Sequence, residues 1–138
     1  MKAISILFAF GAIGSLLTSC VPTPGEGGRA SIQGHVEEEA RVSMFDPSSA
    51  YPPYPATDHN VFIVYGDNVG PDDQVETNAQ GDFIFPWLRP GEYTIYTYSE
   101  DTTLVLGPPR DMVVSQTVTI ESKGEMVVLD TLRIFKDL

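Results

Sequence analysis

The chain has 138 residues and a formal net charge of −11, with nineteen acidic and eight basic side chains. Its length suits one domain, and its acidic balance excludes the basic surface that nucleic-acid binding requires, so no nucleic acid partner is expected. Eleven prolines and twelve glycines argue against a mostly helical fold, and a single cysteine excludes an internal disulfide and any multi-cysteine metal site.

The first twenty residues have the pattern of an export signal. The basic residue Lys2 precedes an apolar run from Ala3 to Leu16, which is shorter than the roughly 20 apolar residues of a membrane-spanning helix. The tetrapeptide Leu17–Cys20 resembles the lipobox of bacterial lipoproteins. The resemblance implies cleavage of the signal peptide (residues 1–19) and attachment of a diacylglycerol to the Cys20 thiol. An ordinary signal peptide with an unmodified cysteine is the alternative.

The lipoprotein resemblance also predicts a location. The mature chain would hold seven basic and nineteen acidic residues and would be repelled by anionic headgroups, so its membrane partner would be reached through the lipid anchor at Cys20. Val21 stands where an aspartate would signal inner-membrane retention. We therefore expect the outer membrane of a bacterial cell envelope, with a periplasm-facing position favoured over a surface-exposed one. Residues 20–29 are expected to form a flexible tether.

From Ala30 onward, alternating β-branched and aromatic residues predict an all-β domain over residues 30–138. Two short strands, Ala30–Val36 and Ala40–Phe45, flank three glutamates. The apolar run Val61–Tyr65 predicts a strand covered on both faces. About seven strands with short turns, and no helical periodicity after the signal, favour a mostly antiparallel β-sandwich.

Residues 45–60 interrupt this rhythm as a Pro/Tyr-rich insertion. Four prolines surround Tyr51 and Tyr54, and the fixed φ and missing N–H of proline predict a stiff loop, not a strand. Long loops in compact domains often carry function, and a tolerated surface insertion is the alternative.

The second half of the chain continues the strand pattern. Strict alternation over Glu92–Tyr98 predicts a strand with two distinct faces. Val113–Ile120 and Glu125–Ile134 are further β-branched stretches, and Glu121–Gly124 would join them as a hairpin turn. The alternation slips near Asp130, which predicts a bulge there.

The most informative stretch runs from Thr77 to Ile95. Gly81 suits a tight turn with positive φ, and Pro90-Gly91 suits the centre of a type II turn. Alternation predicts that Phe83 and Phe85 point into the core. Leu88 would cap that core across a short bend, and Tyr93 and Ile95 would begin the next strand inward.

This stretch resembles the signature of the carboxypeptidase regulatory-like domains and the related collagen-adhesin B-type repeats. The shared pattern is a threonine, a glycine after a short turn, alternating aromatics and then Leu-x-Pro-Gly-x-Tyr, here Leu88 to Tyr93. Ile32–Val36 matches their opening strand. The resemblance covers about residues 30–135 and implies a transthyretin-like (prealbumin-like) antiparallel sandwich of about seven strands, while the fold says nothing of function.

Departures from these families limit the inference. The first strand has no lysine and Glu125–Phe135 has no asparagine, so the isopeptide bond of some adhesin repeats is not expected. Residues Ile134–Leu138 differ from the Tyr-Arg-Gly-Ser ending of the transthyretin-like hydrolases. With two histidines and no recognisable nucleophile–base set, the chain is expected not to be an enzyme.

Three aromatic residues are candidates for binding: Tyr51, Tyr54 and Trp87. Aromatic side chains of this kind stack on sugars or anchor protein partners, because they give large contact area at low entropic cost. For Trp87, which lies on a bend, the favoured alternative is a residue that seals the rim of the core.

No metal and no cofactor is expected. His35 and His59 would need a third ligand such as Asp46 to bind zinc, and solvated histidines are the simpler interpretation. Carboxylates and amides on loops build calcium sites but are also ordinary turn formers, which leaves four weak calcium candidates: Asp67, Asn68, Asp72 and Asp73.

Two functions remain. The first is a lipid-anchored, non-enzymatic domain of the cell envelope that acts as an interaction or accessory subunit of a membrane-associated complex, with a protein partner. The second is a glycan-binding surface lipoprotein that uses Tyr51, Tyr54 and Trp87.

Overall fold

The computed structural model describes residues 23–41, 51–101 and 110–137, and within these ranges the protein is an all-β sandwich without a helix, as predicted. In chain order its strands are β1 (Glu26–Arg41), β2 (Tyr54–Pro55), β3 (Asn60–Tyr65), β4 (Asp73–Glu76), β5 (Asp82–Leu88), β6 (Gly91–Glu100), β7 (Asp111–Ile120), β8 (Met126–Val128) and β9 (Leu132–Asp137). These residues form nine strands where about seven were expected. Strands β2 and β4 were not predicted, the predicted stretch Glu125–Ile134 corresponds to two strands, β8 and β9, and two predicted strands are joined in β1.

Strand β1 is the centre of a five-stranded sheet. One edge pairs antiparallel with β5 and, further along, with β2, while the other edge pairs parallel with β8 and then β9. Gln33 faces Ile84 on one side and Val128 on the other. The second sheet has the order β4-β3-β6-β7 and is antiparallel throughout. The sandwich is therefore mostly antiparallel, as predicted, with two parallel pairs as exceptions.

Strand β1 differs from its prediction at both ends. It is one strand of sixteen residues, not two short ones, because β2 and β9 pair with the glutamates at 37–39. It also begins at Glu26, so residues 26–29 of the predicted tether belong to the sheet. The Arg89 amide donates to the Gly25 carbonyl at 2.9 Å, and Arg89 Nε donates to the Glu26 carbonyl at 2.5 Å.

The core lies between the two sheets and follows the predicted motif. Gly81 has a φ of 80°, as a tight turn requires. Gly91 has a φ of 149°, so the turn before it is not the type II turn that was predicted, which needs about 80° there. The predicted inward side chains are all buried, namely Phe83, Phe85, Leu88, Tyr93 and Ile95.

Two features near the end of the chain depend on long-range pairing. The predicted hairpin at Glu121–Gly124 is wrong, because β7 pairs with β6 whereas β8 pairs with β1, so this turn crosses from one sheet to the other. The predicted bulge near Asp130 is confirmed. Gln33 pairs with Val128 and the next sheet contact joins Val36 to Leu132, so the chain between β8 and β9 has one residue more than β1.

The Pro/Tyr-rich insertion is partly described. Its residues 45–50 lie outside the described ranges. The rest follows one edge of β1, since the Tyr51 amide donates to the Ala40 carbonyl at 3.0 Å and Tyr54–Pro55 pairs with Glu38 and Glu37. The prediction of a loop without strand is therefore wrong for these two residues. Proline is tolerated there because β2 has no strand on its outer side among the described residues.

The sandwich has two unlike ends. At the N-terminal end, where β1 begins, Pro24 packs close to Gly66 and Gly91, and the Ser31 amide donates to the Glu125 carbonyl. At the far end, where β1 finishes, the Asp58 amide donates to the Thr77 carbonyl at 3.1 Å. Loops of both sheets thus meet at each end.

Candidate functional site

Three aromatic side chains form a cluster on the outer surface of the four-stranded sheet. Phe62 of β3 pairs with Tyr96 of β6, and their rings stack with centroids 5.1 Å apart and planes at 19°. Tyr98 contacts both rings edge-on, at 5.7 and 5.8 Å. Tyr98 is 44% exposed, and Phe62 and Tyr96 are half-buried. We call this cluster the aromatic face.

Uncharged polar residues border two sides of the aromatic face, while on a third side Val113, 55% exposed, pairs with Tyr98. Ser115 of β7 pairs with Tyr96, and Gln74 of β4 pairs with Phe62. The hydroxyl oxygens of Thr94 and Thr117 lie 3.2 Å apart across the same two strands. This surface therefore offers apolar rings beside hydroxyl and amide groups that both donate and accept hydrogen bonds.

The phenol of Tyr96 is protonated at neutral pH, like that of any tyrosine, and offers an O–H donor. Partial burial and the neighbouring Tyr98 raise the pKa of Tyr96 further above 10.0, burial being the larger cause.

The sequence interpretation missed the aromatic face because of Phe62. The run Val61–Tyr65 predicted a strand covered on both faces, but only Val61 and Ile63 are fully buried, while Phe62 and Val64 lie on the outer surface. Strict alternation along this run would have revealed the outward position of Phe62.

The predicted binding residues Tyr51, Tyr54 and Trp87 are all exposed, but the structure does not bring them together. Tyr54 pairs with Glu38 near the far end of β1 and donates its hydroxyl to the Glu38 carboxylate, which raises the pKa of Tyr54. Trp87 of β5 lies near the other end of β1, because the next residue, Leu88, pairs with Ala30. Eight residues of strand span about 26 Å, so one sugar unit cannot contact both.

Trp87 is turned out of the sheet by a β-bulge. Phe85 pairs with Ile32 and Leu88 with Ala30, so three steps along β5 match two along β1. At this extra residue, Trp87, the backbone has a φ of 61°, which residues other than glycine rarely adopt. Trp87 is 68% exposed. Exposure to this extent argues against the alternative in which Trp87 seals the rim of the core.

The outer surface of the five-stranded sheet combines a histidine–carboxylate pair with apolar side chains. His35 Nδ1 lies 2.8 Å from Asp82 Oδ1, and a groove of about 430 Å³ opens beside them. Ile84 and Val128, on either side of Gln33, are exposed. This surface differs from the aromatic face in its charged histidine–carboxylate pair and its aliphatic side chains.

A polar cleft of about 280 Å³ lies at the far end, with Glu38 and Lys136 in its wall. Beside it, the buried Thr97 hydroxyl donates to the Asn60 carbonyl at 2.7 Å, and the same oxygen lies 2.7 Å from His59 Nε2. The single proton of the Thr97 hydroxyl is used in the bond to the Asn60 carbonyl, so the hydroxyl oxygen can only accept from His59. His59 Nε2 therefore carries a proton and donates to Thr97. Burial lowers the pKa of His59 from its usual 6.5, since imidazolium would lose hydration.

The two histidines do not meet. His35 faces Asp82 on an outer surface, the half-buried His59 faces Thr97 beside the polar cleft, and Asp46 lies outside the described residues. Within residues 23–41, 51–101 and 110–137, no group of three His, Cys, Asp or Glu side chains is placed to hold a metal ion.

The calcium candidates organise the turn between β3 and β4. Asp72 accepts from the Tyr65 amide at 2.7 Å and from Asn68 Nδ2 at 2.8 Å. Asp73 accepts from the amide of Gln74 at 2.7 Å, and Asp67 is exposed. Asp72 and Asp73 thus act as turn-forming side chains, which was the alternative interpretation.

Cys20, the predicted lipidation site, lies outside the described residues together with the predicted signal peptide. Across the part of the chain that the structure describes, no helix has the length and apolar character to span a membrane. Acylation at Cys20 stays a prediction.

No protein-family model and no curated protein matches this sequence. Among solved structures, the chain is similar to a protein of Pseudomonas aeruginosa that is described provisionally as carbohydrate-binding. The two share 14% identity with a TM-score of 0.47, and the alignment covers 79% of this chain and 92% of the other. A likeness of this degree carries no information on the ligand, which has to be inferred from the geometry of the site itself.

Proposed function

We propose that this protein is a non-enzymatic binding module, held at a bacterial envelope membrane by an acylated Cys20, whose ligand is a glycan. The observation that carries this proposal is the aromatic face: Phe62, Tyr96 and Tyr98 cluster on a solvent-facing sheet surface, although the core accommodates other large side chains. Aromatic side chains grouped on an outer sheet surface, with Tyr98 44% exposed, are a candidate interaction site.

The chemistry of this surface favours a glycan over a protein. Sugar rings present apolar C–H faces bordered by hydroxyls, and tyrosine presents an apolar ring bordered by a hydroxyl. The hydroxyls of Thr94, Ser115 and Thr117 extend the polar border without adding charge. The glycan hypothesis thereby moves from Tyr51, Tyr54 and Trp87 to the aromatic face.

The proposal is tested by affinity electrophoresis of the full chain through gels containing soluble β-glucan, mannan or peptidoglycan fragments. We expect retardation by at least one polymer, and a loss of affinity of about tenfold in Tyr98→Ala, because aromatic anchors dominate such contacts. The matched control is Tyr51→Ala, which removes a tyrosine ring elsewhere that is 54% exposed, against 44% for Tyr98. No retardation by any polymer, or an equal loss in both variants, contradicts the proposal.

Lipid attachment has its own test. The purified chain should carry the mass of a diacylglycerol at Cys20, and Cys20→Ala should leave the membrane fraction and take up no labelled fatty acid precursor. A variant that remains membrane-bound without label contradicts the anchor while leaving glycan binding untouched.

A second candidate function, an accessory subunit with a protein partner, is favoured by the other outer surface. Ile84 and Val128 are 46% and 66% exposed there, on either side of Gln33. Crosslinking in native membranes followed by mass spectrometry should then identify a partner that Ile84→Lys with Val128→Lys releases. Glycan affinity should be unchanged in this double variant, and a partner retained by it contradicts the assignment.

A further inference from the structure

The N-terminal end of the sandwich lies within a few residues of the proposed lipid. Three backbone steps separate Cys20 from Thr23, a span of at most about 11 Å. From Gly25 the chain is fixed to the body: its amide donates to the Tyr93 hydroxyl at 2.8 Å, and that hydroxyl donates to the Arg89 carbonyl at 2.7 Å. An acyl chain on Cys20 therefore brings this end of the fold, and no other, against the bilayer.

Two large apolar side chains project from this same end. Trp87 lies two residues before Arg89, which is hydrogen-bonded to Gly25. Val69, at the tip of the β3–β4 loop, is fully exposed, and this loop begins at Gly66, beside Pro24. Both side chains lack an inward role, and the bulge holds Trp87 outward in a backbone conformation that is strained for tryptophan.

We propose that Trp87 and Val69 form a membrane-contacting end that inserts into the interfacial layer of the lipid bilayer. Tryptophan is enriched at this depth of a bilayer, because its ring is apolar and its indole N–H needs a polar partner. The occupant is a lipid surface and not a glycan, since the short link to Cys20 leaves little room for another ligand. This inference rests on the acylation of Cys20 in the proposed function.

The charge of this end selects the lipid. Acidic side chains outnumber basic ones here: Glu26, Asp67 and Glu92 are exposed beside the exposed cations Arg29 and Lys123, and Arg89 is hydrogen-bonded to the chain itself. Anionic headgroups repel such a surface within a Debye length, so the contact favours zwitterionic lipid, and added salt should strengthen it on anionic vesicles.

The contact would also orient the aromatic face. Strand β6 begins at Gly91, next to Pro24, and reaches Tyr96 and Tyr98 after five and seven residues. At about 3.3 Å per residue the cluster lies about 17–23 Å along the strand from the membrane-contacting end. It is thereby held clear of the headgroups, where a polymer can reach it.

The experiment uses the fact that Trp87 is the single tryptophan of the chain. The acylated full chain is reconstituted into phosphatidylcholine vesicles with and without brominated phosphatidylcholine, and tryptophan fluorescence is measured. We expect the bromines to remove about half of the Trp87 emission, since interfacial indole lies next to the upper acyl chain. The control, Trp87→Phe with Tyr98→Trp, moves the one tryptophan to the aromatic face and should be unquenched.

The outcomes separate the two proposals. A chain that carries lipid and floats with the vesicles but shows unquenched Trp87 overturns the membrane contact alone, as does equal quenching of the control. A chain without lipid that fails to float refutes the anchor, and with it this inference. Flotation with quenched Trp87 and an unquenched control supports both.

Discussion

The two ends of the sandwich are closed by different chemistry. At the N-terminal end, backbone segments approach closely at two glycines: Gly28 lies against Leu88, and Gly91 lies against Pro24. The Tyr93 hydroxyl links two of these segments, because it accepts from the Gly25 amide and donates to the Arg89 carbonyl. At the far end, side chains do this work: Thr97 and His59 bond to each other inside the fold. The first end therefore depends on close backbone approach, and the second on buried polar pairing.

The largest effect is expected at the N-terminal end, from Gly28→Ala. The added Cβ would lie 1.9 Å from the carbonyl oxygen of Leu88, which is backbone and cannot rotate away. The strands must separate, and we expect a loss of about 3 kcal/mol in the free energy of unfolding, measured by urea denaturation.

The control for this change is Gly70→Ala, in a loop with a φ of 87° and no atom within 4 Å of the added Cβ. It bears only the left-handed strain, about 1 kcal/mol. Equal losses in the two variants would show that Gly28 is not a point of close approach.

The far end should respond next most strongly, to Thr97→Val. The change preserves shape but leaves the Asn60 carbonyl and His59 Nε2 without their partner inside the fold. An unsatisfied buried group costs about 1–3 kcal/mol, so we expect a loss of about 2 kcal/mol. Thr94→Val, on the outward side of the same strand, should stay within about 0.5 kcal/mol of wild type. A neutral Thr97→Val would remove the contrast between the ends.

Local patterns predicted what depends on near neighbours. The spacing around Gly81 was enough to place Phe83 and Phe85 inward, because a turn and a two-residue period fix both. The same local signal at Glu121–Gly124 fits a hairpin and a crossing between sheets equally well. The crossing is decided by the pairing of β8 with β1, from which it is separated by more than eighty residues of chain.

The candidate site was predicted less well for the same reason. Alternation along β6 places Tyr96 and Tyr98 outward. Their third partner, Phe62, comes from β3, and the register that places Phe62 opposite Tyr96 is seen only in the folded sheet. Phe85 and Leu88 both point inward although three steps separate them, so one residue between them must form a bulge and point outward. Tryptophan is usually a largely buried residue, so its type alone does not identify Trp87 as the outward one.

The polar closure of the far end also predicts a pH dependence. Burial lowers the pKa of His59 in the folded state. Below pH 6.5, His59 is therefore protonated in the unfolded chain but remains neutral in the folded chain. Stability should therefore fall as pH decreases from 6.5 towards the lowered folded value, by less than the loss in Thr97→Val. The measurement is urea unfolding at pH 8 and pH 5 for wild type and His59→Gln, which cancels the carboxylates common to both. An equal fall in the two proteins contradicts this assignment.

The smallest change in the free energy of unfolding is expected at Trp87. A gain in stability would indicate that backbone strain at the bulge dominates, and a loss would indicate that packing of the ring dominates. The ring is 68% exposed, so Trp87→Gly loses little burial and relieves the left-handed backbone at a φ of 61°. We expect a free energy of unfolding between that of wild type and about 1 kcal/mol above it, with Trp87→Ala lower than Trp87→Gly by about 1 kcal/mol, because alanine retains the strain. A loss above about 2 kcal/mol in both variants would mean that the ring seals the core after all. A stable Trp87→Gly protein that has lost its vesicle contact would instead show that the strained residue is maintained for the membrane and not for the fold.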